Sequence, residues 1–219
     1  IPPGHAAFVH NWDSLSLGYV GTGQHCPPFA ATNCLTVGQE FFVGGISWRC
    51  FAAPGHDPHS FILFSAETGI CITADALWEN GFGVVFPEIE GEGGFDEVAN
   101  TLDLIESLQP SIILPGHGAP FSDVSGALLR ARSRLTYFVD KPQAHALYAT
   151  KVLVKFKLLE LQRISKNEFA SWALTASHLQ KIHRAHFSDC SFSNWCNFIC
   201  ADLVRSAAAE MDDAYLINA

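Results

Sequence analysis

Three short stretches hold the residues able to do chemistry: Ala53-Pro54-Gly55-His56-Asp57-Pro58-His59-Ser60, Ile72-Thr73-Ala74-Asp75 and Leu114-Pro115-Gly116-His117-Gly118. In each, a β-like apolar run ends and a tight turn sets His or Asp just beyond it. The runs are Trp48-Arg49-Cys50-Phe51, Ile70-Cys71-Ile72 and Ile112-Ile113-Leu114. A strand end suits chemistry because the sheet holds the backbone rigid while the turn frees the side chain. Two imidazoles and a carboxylate presented this way make a site for a divalent ion. Neutral imidazole suits zinc or iron, a carboxylate can bridge two ions, and Gly55 and Gly116 permit the sharp backbone each turn needs.

The elements that must position these residues are readable in outline. Glu40–Val43, Trp48–Ala52, Phe61–Phe64 and Ile70–Thr73 are short, aromatic or β-branched, and separated by glycine- and proline-containing turns, so they are expected strands. Residues 76–94 form a long connection directly after Asp75 with little periodicity, a candidate substrate wall holding Trp78 and Phe82. Phe95, Val98, Leu102, Ile105 and Leu108 recur at helical steps, which predicts a helix over 95–108 ended by Pro110. A buried strand, Ser111–Leu114, leads to His117. A second helix starts with Ser122 or Asp123 as cap and buries Ala127, Ala131, Leu135 and Phe138. Its Arg130, Arg132 and Arg134 are expected to be solvated or paired with acidic neighbours. Strand alternating with helix makes this part α/β.

From Asp140-Lys141-Pro142 onward strand signals fade. Helices are expected at 144–161, with Val152, Phe156 and Leu159 on one stripe, then near 166–174 and 176–187, and at 192–209. The resulting division is 1–140, an α/β domain, and 141–219, a helical appendage. Residues 1–38 read as mostly loop with one short helix near 6–17.

The chain of 219 residues is 48% hydrophobic with mean hydropathy +0.16, a composition that folds. No apolar run reaches the roughly 18 residues a membrane span needs, and a cytoplasmic location is expected. The seven cysteines are odd in number and form no Cys-x-x-Cys pair, which favours reduced thiols over a disulfide framework. The net charge of −9 is uneven: −11 over residues 1–140, +6 over 141–186 and −4 over 187–219. A solvated helix face explains the basic stretch more simply than a nucleic-acid contact.

The three motifs, in this order and spacing, resemble those of the metallo-β-lactamase fold hydrolases. The resemblance covers roughly residues 38–140. It implies the C-terminal part of an αββα sandwich plus a small helical C-terminal domain, the latter resembling the winged-helix-like appendage of some members. It also implies that His56 binds one metal ion, that His117 binds the other, and that Asp75 bridges both and is the catalytic residue. Two ions are implied, zinc by preference, with iron or manganese open. Ala74-Asp75 stands where the family has Gly-Asp, and His56-Asp57-Pro58-His59-Ser60 replaces His-Thr-Pro-Gly-Ser. The family's His-x-His-x-Asp-His motif, the source of most ligands, is not in the sequence. The expectation is therefore an N-terminally truncated member, whose exposed sheet edge invites a partner strand or a homodimer.

The function these features imply is metal-dependent hydrolysis of a small ester, thioester, lactone or amide, with His59, Trp78 and Phe82 as candidate substrate contacts. Catalytic zinc usually keeps three protein ligands, so the chain alone is expected to bind metal weakly and to be inactive. A nuclease of the same fold is the first alternative. Nucleic acid is disfavoured as a partner because Glu88, Glu90 and Glu92 beside the site would repel phosphates. The second alternative is a non-catalytic interaction module.

Overall fold

The computed structural model describes all 219 residues, Ile1–Ala219. In chain order it contains α1 (Ala6–Asn11), α2 (Tyr19–Thr22), β1 (Glu40–Val43), β2 (Ile46–Ala52), β3 (Phe61–Ser65), β4 (Ile70–Ala74), α3 (Phe86–Glu90), α4 (Phe95–Leu108), β5 (Ile112–Pro115) and α5 (Val124–Asp140). Then follow α6 (Pro142–Leu161), β6 (Arg163–Ser165), α7 (Lys166–Thr175), α8 (Ser177–His186), α9 (Phe192–Arg205), β7 (Ala209–Met211) and β8 (Tyr215–Asn218). No helix is long and apolar enough to cross a membrane.

The chain forms two compact units. The first comprises Ile1–His10 and Ala30–Pro142, the second Asn11–Phe29 and Gln143–Ala219. This grouping differs from a single break near residue 140, because residues 11–29 group with the C-terminal helices. Trp172 Nε1 donates to Gly23 O at 2.7 Å, a contact between residues 149 positions apart. No spacing rule in the sequence announces it.

The first unit is built on a five-stranded sheet in the order β1-β2-β3-β4-β5. The first four strands run antiparallel as successive hairpins, and β5 joins β4 in parallel, with Ile70, Cys71 and Ile72 opposite Ile112, Ile113 and Leu114. A parallel neighbour needs a long crossover; residues 75–111, carrying α3 and α4, provide it. The helix α4 has the predicted bounds and buries Val98, Leu102 and Ile105, with Asp96 and Glu97 in its first turn. The carboxylate Oε1 of Glu88 accepts from Gly94 N at 2.6 Å and Phe95 N at 3.0 Å, satisfying two of the helix's orphan donors. Asp123 caps α5 by accepting from Gly126 N, and Ala127, Ala131, Leu135 and Phe138 are buried as the periodicity requires. The architecture is α/β, as expected for the part of the chain that carries the three motifs.

The second unit holds helices and a small antiparallel sheet in the order β6-β8-β7. The sequence predicts no strands here, and the reason is length: three- and four-residue strands carry too few positions for a period of two. The expected helix over 192–209 accordingly stops at Arg205; residues 206–208 turn, and β7 begins at Ala209. The stripe expected on α6 is also corrected. Leu153, Val154 and Leu158 are buried, whereas Leu159 is 47% exposed. Apolar residues lie on every side of that helix, with Lys151, Lys155 and Lys157 set among them, so periodicity does not select its inner face. The turn into α7 is a capping box in which Ser165 and Glu168 satisfy each other's backbone N–H groups.

All seven cysteines are free; Cys50, Cys71, Cys196 and Cys200 are buried, and Cys34 and Cys190 are exposed. Burial pushes the Cys71 thiol up to about 12 and Cys196 to about 11. Cys200 rises to about 12 for the same reason, reinforced by neighbouring Cys196. The thiolate is the reactive form, so at pH 8 iodoacetamide should label Cys34 and Cys190 readily in the native protein. Cys71, Cys196 and Cys200 should react only after denaturation, as read by peptide mass mapping. A second test concerns the core: Ile105→Ala removes a fully buried side chain and should cost about 2–5 kcal/mol in denaturant unfolding.

Candidate metal-binding site at the strand ends

The strand β4 ends on a residue with a bent backbone, just after a register irregularity between Ile72 and Ala74. Ala74 has φ +45°, a left-handed conformation unusual for a residue with a Cβ. The turn is closed by Ala76 N donating to Thr73 O at 2.9 Å, and the buried Thr73 hydroxyl donates to Leu77 O at 2.7 Å. The result aims Asp75 outward from a rigid corner. The third motif is tied to the same corner, because Gly116 N donates to Ala74 O at 2.7 Å. A Cβ on Gly116 would lie 3.0 Å from Asp75 Oδ1 and from the Ala74 carbonyl carbon, so any larger residue here would have to push the corner apart by a few tenths of an ångström.

His56 arrives from the other side of Asp75. Its Nδ1 lies 2.6 Å from Val84 O. A carbonyl only accepts, so Nδ1 carries the proton and Nε2 presents a lone pair when the ring is neutral. That Nε2 lies 3.4 Å from Asp75 Oδ2, with both side chains one-quarter exposed. Gly83 makes the approach feasible: its N–H donates to Asp75 O at 2.9 Å, and a Cβ there would fall 2.7 Å from His56 Nδ1. Phe86 packs edge-on against the His56 ring at 5.4 Å and donates its N–H to His56 O at 3.2 Å.

His117 completes the arrangement. Its Nε2 is 3.6 Å from Asp75 Oδ1, and its side chain is half-exposed. Each Asp75 oxygen thus has one imidazole beside it. The three residues expected to act together are brought together. In kind, two imidazoles and a carboxylate are donors that suit a divalent ion. In number they fall short, for no three His, Cys, Asp or Glu side chains converge on one point that would hold an ion.

The expected substrate contacts fare differently. Trp78 is at the site: its Nε1 donates to Asp75 Oδ1 at 3.0 Å and to Ala74 O at 3.2 Å, and its ring meets His117 edge-on at 5.2 Å. Phe82 is 1% exposed, packed edge-on with Phe138 and lying beside Arg134, so it is a core residue with no surface to offer a substrate. The His59 ring packs edge-on against His5 at 4.6 Å and lies close to Gly4, while the His59 backbone N–H donates to Asp57 Oδ1 at 2.7 Å.

Sequence reasoning misses the partners that have no motif. The Val84 carbonyl is backbone, and the Trp78 indole, expected in a substrate wall, is a partner of Asp75. Arg130 and Arg134 also escape it: Arg130 Nε donates to Glu79 O at 2.8 Å and Arg134 to Asn80 O at 3.2 Å. Their four-residue spacing on α5 is the available signal. Glu88, expected as a repelling acid beside the site, accepts from two backbone N–H groups at the start of α4.

Comparison with known proteins points to one family. A sequence model of the metallo-beta-lactamase superfamily matches residues 3–117. Similar solved structures include a metallo-beta-lactamase family protein from Thermus thermophilus. It is 17% identical, with a TM-score of 0.46, over 98% of this chain and 68% of that one. A beta-lactamase domain protein from Burkholderia ambifaria is 16% identical, with a TM-score of 0.45, over 89% of this chain and 54% of that one. ETHE1 from Myxococcus xanthus is 20% identical, with a TM-score of 0.40, over 51% of this chain and 52% of that one. The chain therefore spans between about half and two thirds of the length of these structures. No curated protein matches the sequence. The family match ends on His117 and takes in His56 and Asp75, so the three residues gathered at the strand ends lie within it, and the chain belongs to the metallo-beta-lactamase superfamily.

Proposed function

We propose that the chain serves metal-dependent hydrolysis of a small ester, thioester, lactone or amide, with His56, Asp75 and His117 as the metal-holding residues. Family membership supports a hydrolase-type function in general terms. The observation that carries the finer reading is the placement of Asp75, with one carboxylate oxygen beside each imidazole.

The chain's own residues have distinct parts in this reading. His56 is locked by Val84 O, so its Nε2 lone pair points at the space beside Asp75 Oδ2. Asp75 serves both sides at once because a carboxylate has four lone-pair positions on two oxygens. His117, half-exposed, takes the outer side. A divalent ion held there would supply a bound water whose pKa falls to about 7 and a Lewis acid for the carbonyl. Two donors per ion are fewer than the three a catalytic zinc usually keeps. Turnover accordingly requires donors beyond these three residues, and the 219-residue chain alone holds metal weakly.

Charge supports a small, non-phosphate substrate over nucleic acid. Residues 1–140 are strongly acidic, and several cations of the basic stretch already have partners. Lys151 pairs with Asp202, Lys157 with Glu160, Arg163 stacks on Tyr215, and Lys155 donates to Ala208 O, Asn218 and Ala219 O. The second unit's helices with strands ordered β6-β8-β7 support a winged-helix-like reading of that part.

The test is a zinc titration of the purified chain by calorimetry. Weak binding is expected, with Asp75→Ala abolishing it and His56→Ala or His117→Ala each weakening it at least about tenfold. Zinc uptake by Asp75→Ala equal to that of the parent chain would overturn the reading. The His56 lock has its own check. Gly83→Ala should push the ring off Val84 O, so that 15N NMR no longer shows a single Nδ1–H tautomer, with about 1–3 kcal/mol of stability lost.

A further inference from the structure

Trp78 contacts two of the three site residues, and metal holding gives it no part. It is half-buried, and the segment that carries it is fixed at several points. Leu77 beside it is fully buried. Trp78 N donates to Gly81 O at 2.7 Å, closing a tight turn over Glu79 and Asn80. The two carbonyls at the tip of that turn accept from Arg130 and Arg134 of α5.

We propose that Trp78 is a positioning residue that fixes the Asp75 carboxylate and the His117 ring, and that Arg130 and Arg134 hold the turn that delivers it. A carboxylate rotates broadly about its last torsion, so a ligand meant to serve two sides needs an external restraint. The indole N–H supplies one: it donates and cannot accept, and it occupies one of the two lone-pair positions on Oδ1. The other position, and both on Oδ2, stay available to the sides where the imidazoles lie. The choice of donor matters. An Arg or Lys side chain would hold Asp75 as firmly, but its charge would cancel the carboxylate and repel a cation. An indole orients the anion and leaves its charge intact. The same ring, edge-on to His117 at 5.2 Å, limits the swing of a half-exposed imidazole. The arginines act at a distance and keep their charge off the site by binding backbone carbonyls. What Asp75 is positioned for rests on the function proposed above; the positioning itself does not.

The experiment is 1H–15N and 1H–13C NMR on the full chain without metal, followed by titration with zinc alone. Five tryptophans give five indole N–H signals, and Trp78→Phe identifies the one from Trp78. Asp75→Ala should move that signal upfield and leave the other four in place, while Trp78→Phe should shift the His117 imidazole C–H signals. Unchanged signals from the other four indoles in Trp78→Phe report that the fold is intact. Arg130→Ala should broaden or move the Trp78 signal. An indole signal indifferent to Asp75→Ala, or His117 signals indifferent to Trp78→Phe, would overturn the proposal. In the zinc arm, Trp78→Phe should bind about tenfold more weakly than the parent chain, and equal affinity would overturn the positioning role. If the parent chain takes up no zinc, the metal reading of the site fails, and the positioning of Asp75 stands or falls on the NMR shifts alone.

Discussion

The parallel pairing of β4 with β5 is the constraint on which the site depends. Asp75 and His117 are 42 residues apart in sequence, and they meet because their strands lie side by side and end at the same level. The pairing runs from Ile70 opposite Ile112 to Ala74 opposite Pro115. The last bond of that edge, Gly116 N to Ala74 O, joins the two turns directly. Slipping the register by one residue would reverse every side chain of β5 and part the imidazole from the carboxylate. The left-handed Ala74 adds local strain of about 1–2 kcal/mol that the surrounding hydrogen bonds offset, and it turns Asp75 out of the sheet at that corner.

A second layer of order comes from α5, whose arginines have three different attachments. Arg132 reaches Asp103 and Glu106 of α4 at 2.7 and 2.8 Å, an exposed pairing worth about 0–1 kcal/mol. Arg130 joins the Asp123 cap at 3.1 Å while its Nε takes the Glu79 carbonyl. Arg134 lies over Phe138 and beside Phe82 as it reaches Asn80. One helix therefore ties the crossover helix, its own N-terminus and the turn next to Asp75.

Much of the first unit is legible in the sequence because its signals are local. The bounds of α4 follow from Phe95, Val98, Leu102 and Ile105 at helical spacing, and Asp123 before an apolar-periodic run reads as a cap. The His56, Asp75 and His117 set is legible because each follows an apolar run and a turn. What is not legible is chemistry carried by backbone or by distance. Val84 O has no side-chain signature, and Arg130 reaches a carbonyl 51 residues away. Phe82 and Trp78, four residues apart in one aperiodic loop, look alike in sequence; one is core and the other lies on the carboxylate. The expectation that Arg130, Arg132 and Arg134 are solvated or paired with acids holds for Arg132 and for Arg130, and leaves out the backbone carbonyls that Arg130 and Arg134 reach. The three strands of the second unit and the inner face of α6 are hidden for opposite reasons, too few residues in the strands and too uniform a surface on the helix.

The placement of Asn11–Phe29 in the second unit has a consequence for how the protein comes into being. The chain leaves the first unit at residue 10, returns at residue 30 and leaves again at residue 142. On a ribosome, residues 11–29 emerge well before Trp172, and Gly23 finds it only once the chain has grown by a further 149 residues. The second unit is thus closed by segments from two distant parts of the chain, and its completion is a late, non-local event whose loop-closure cost falls on one step. Synthesis order and folding order are uncoupled for residues 11–29, which wait without their partners in the interval.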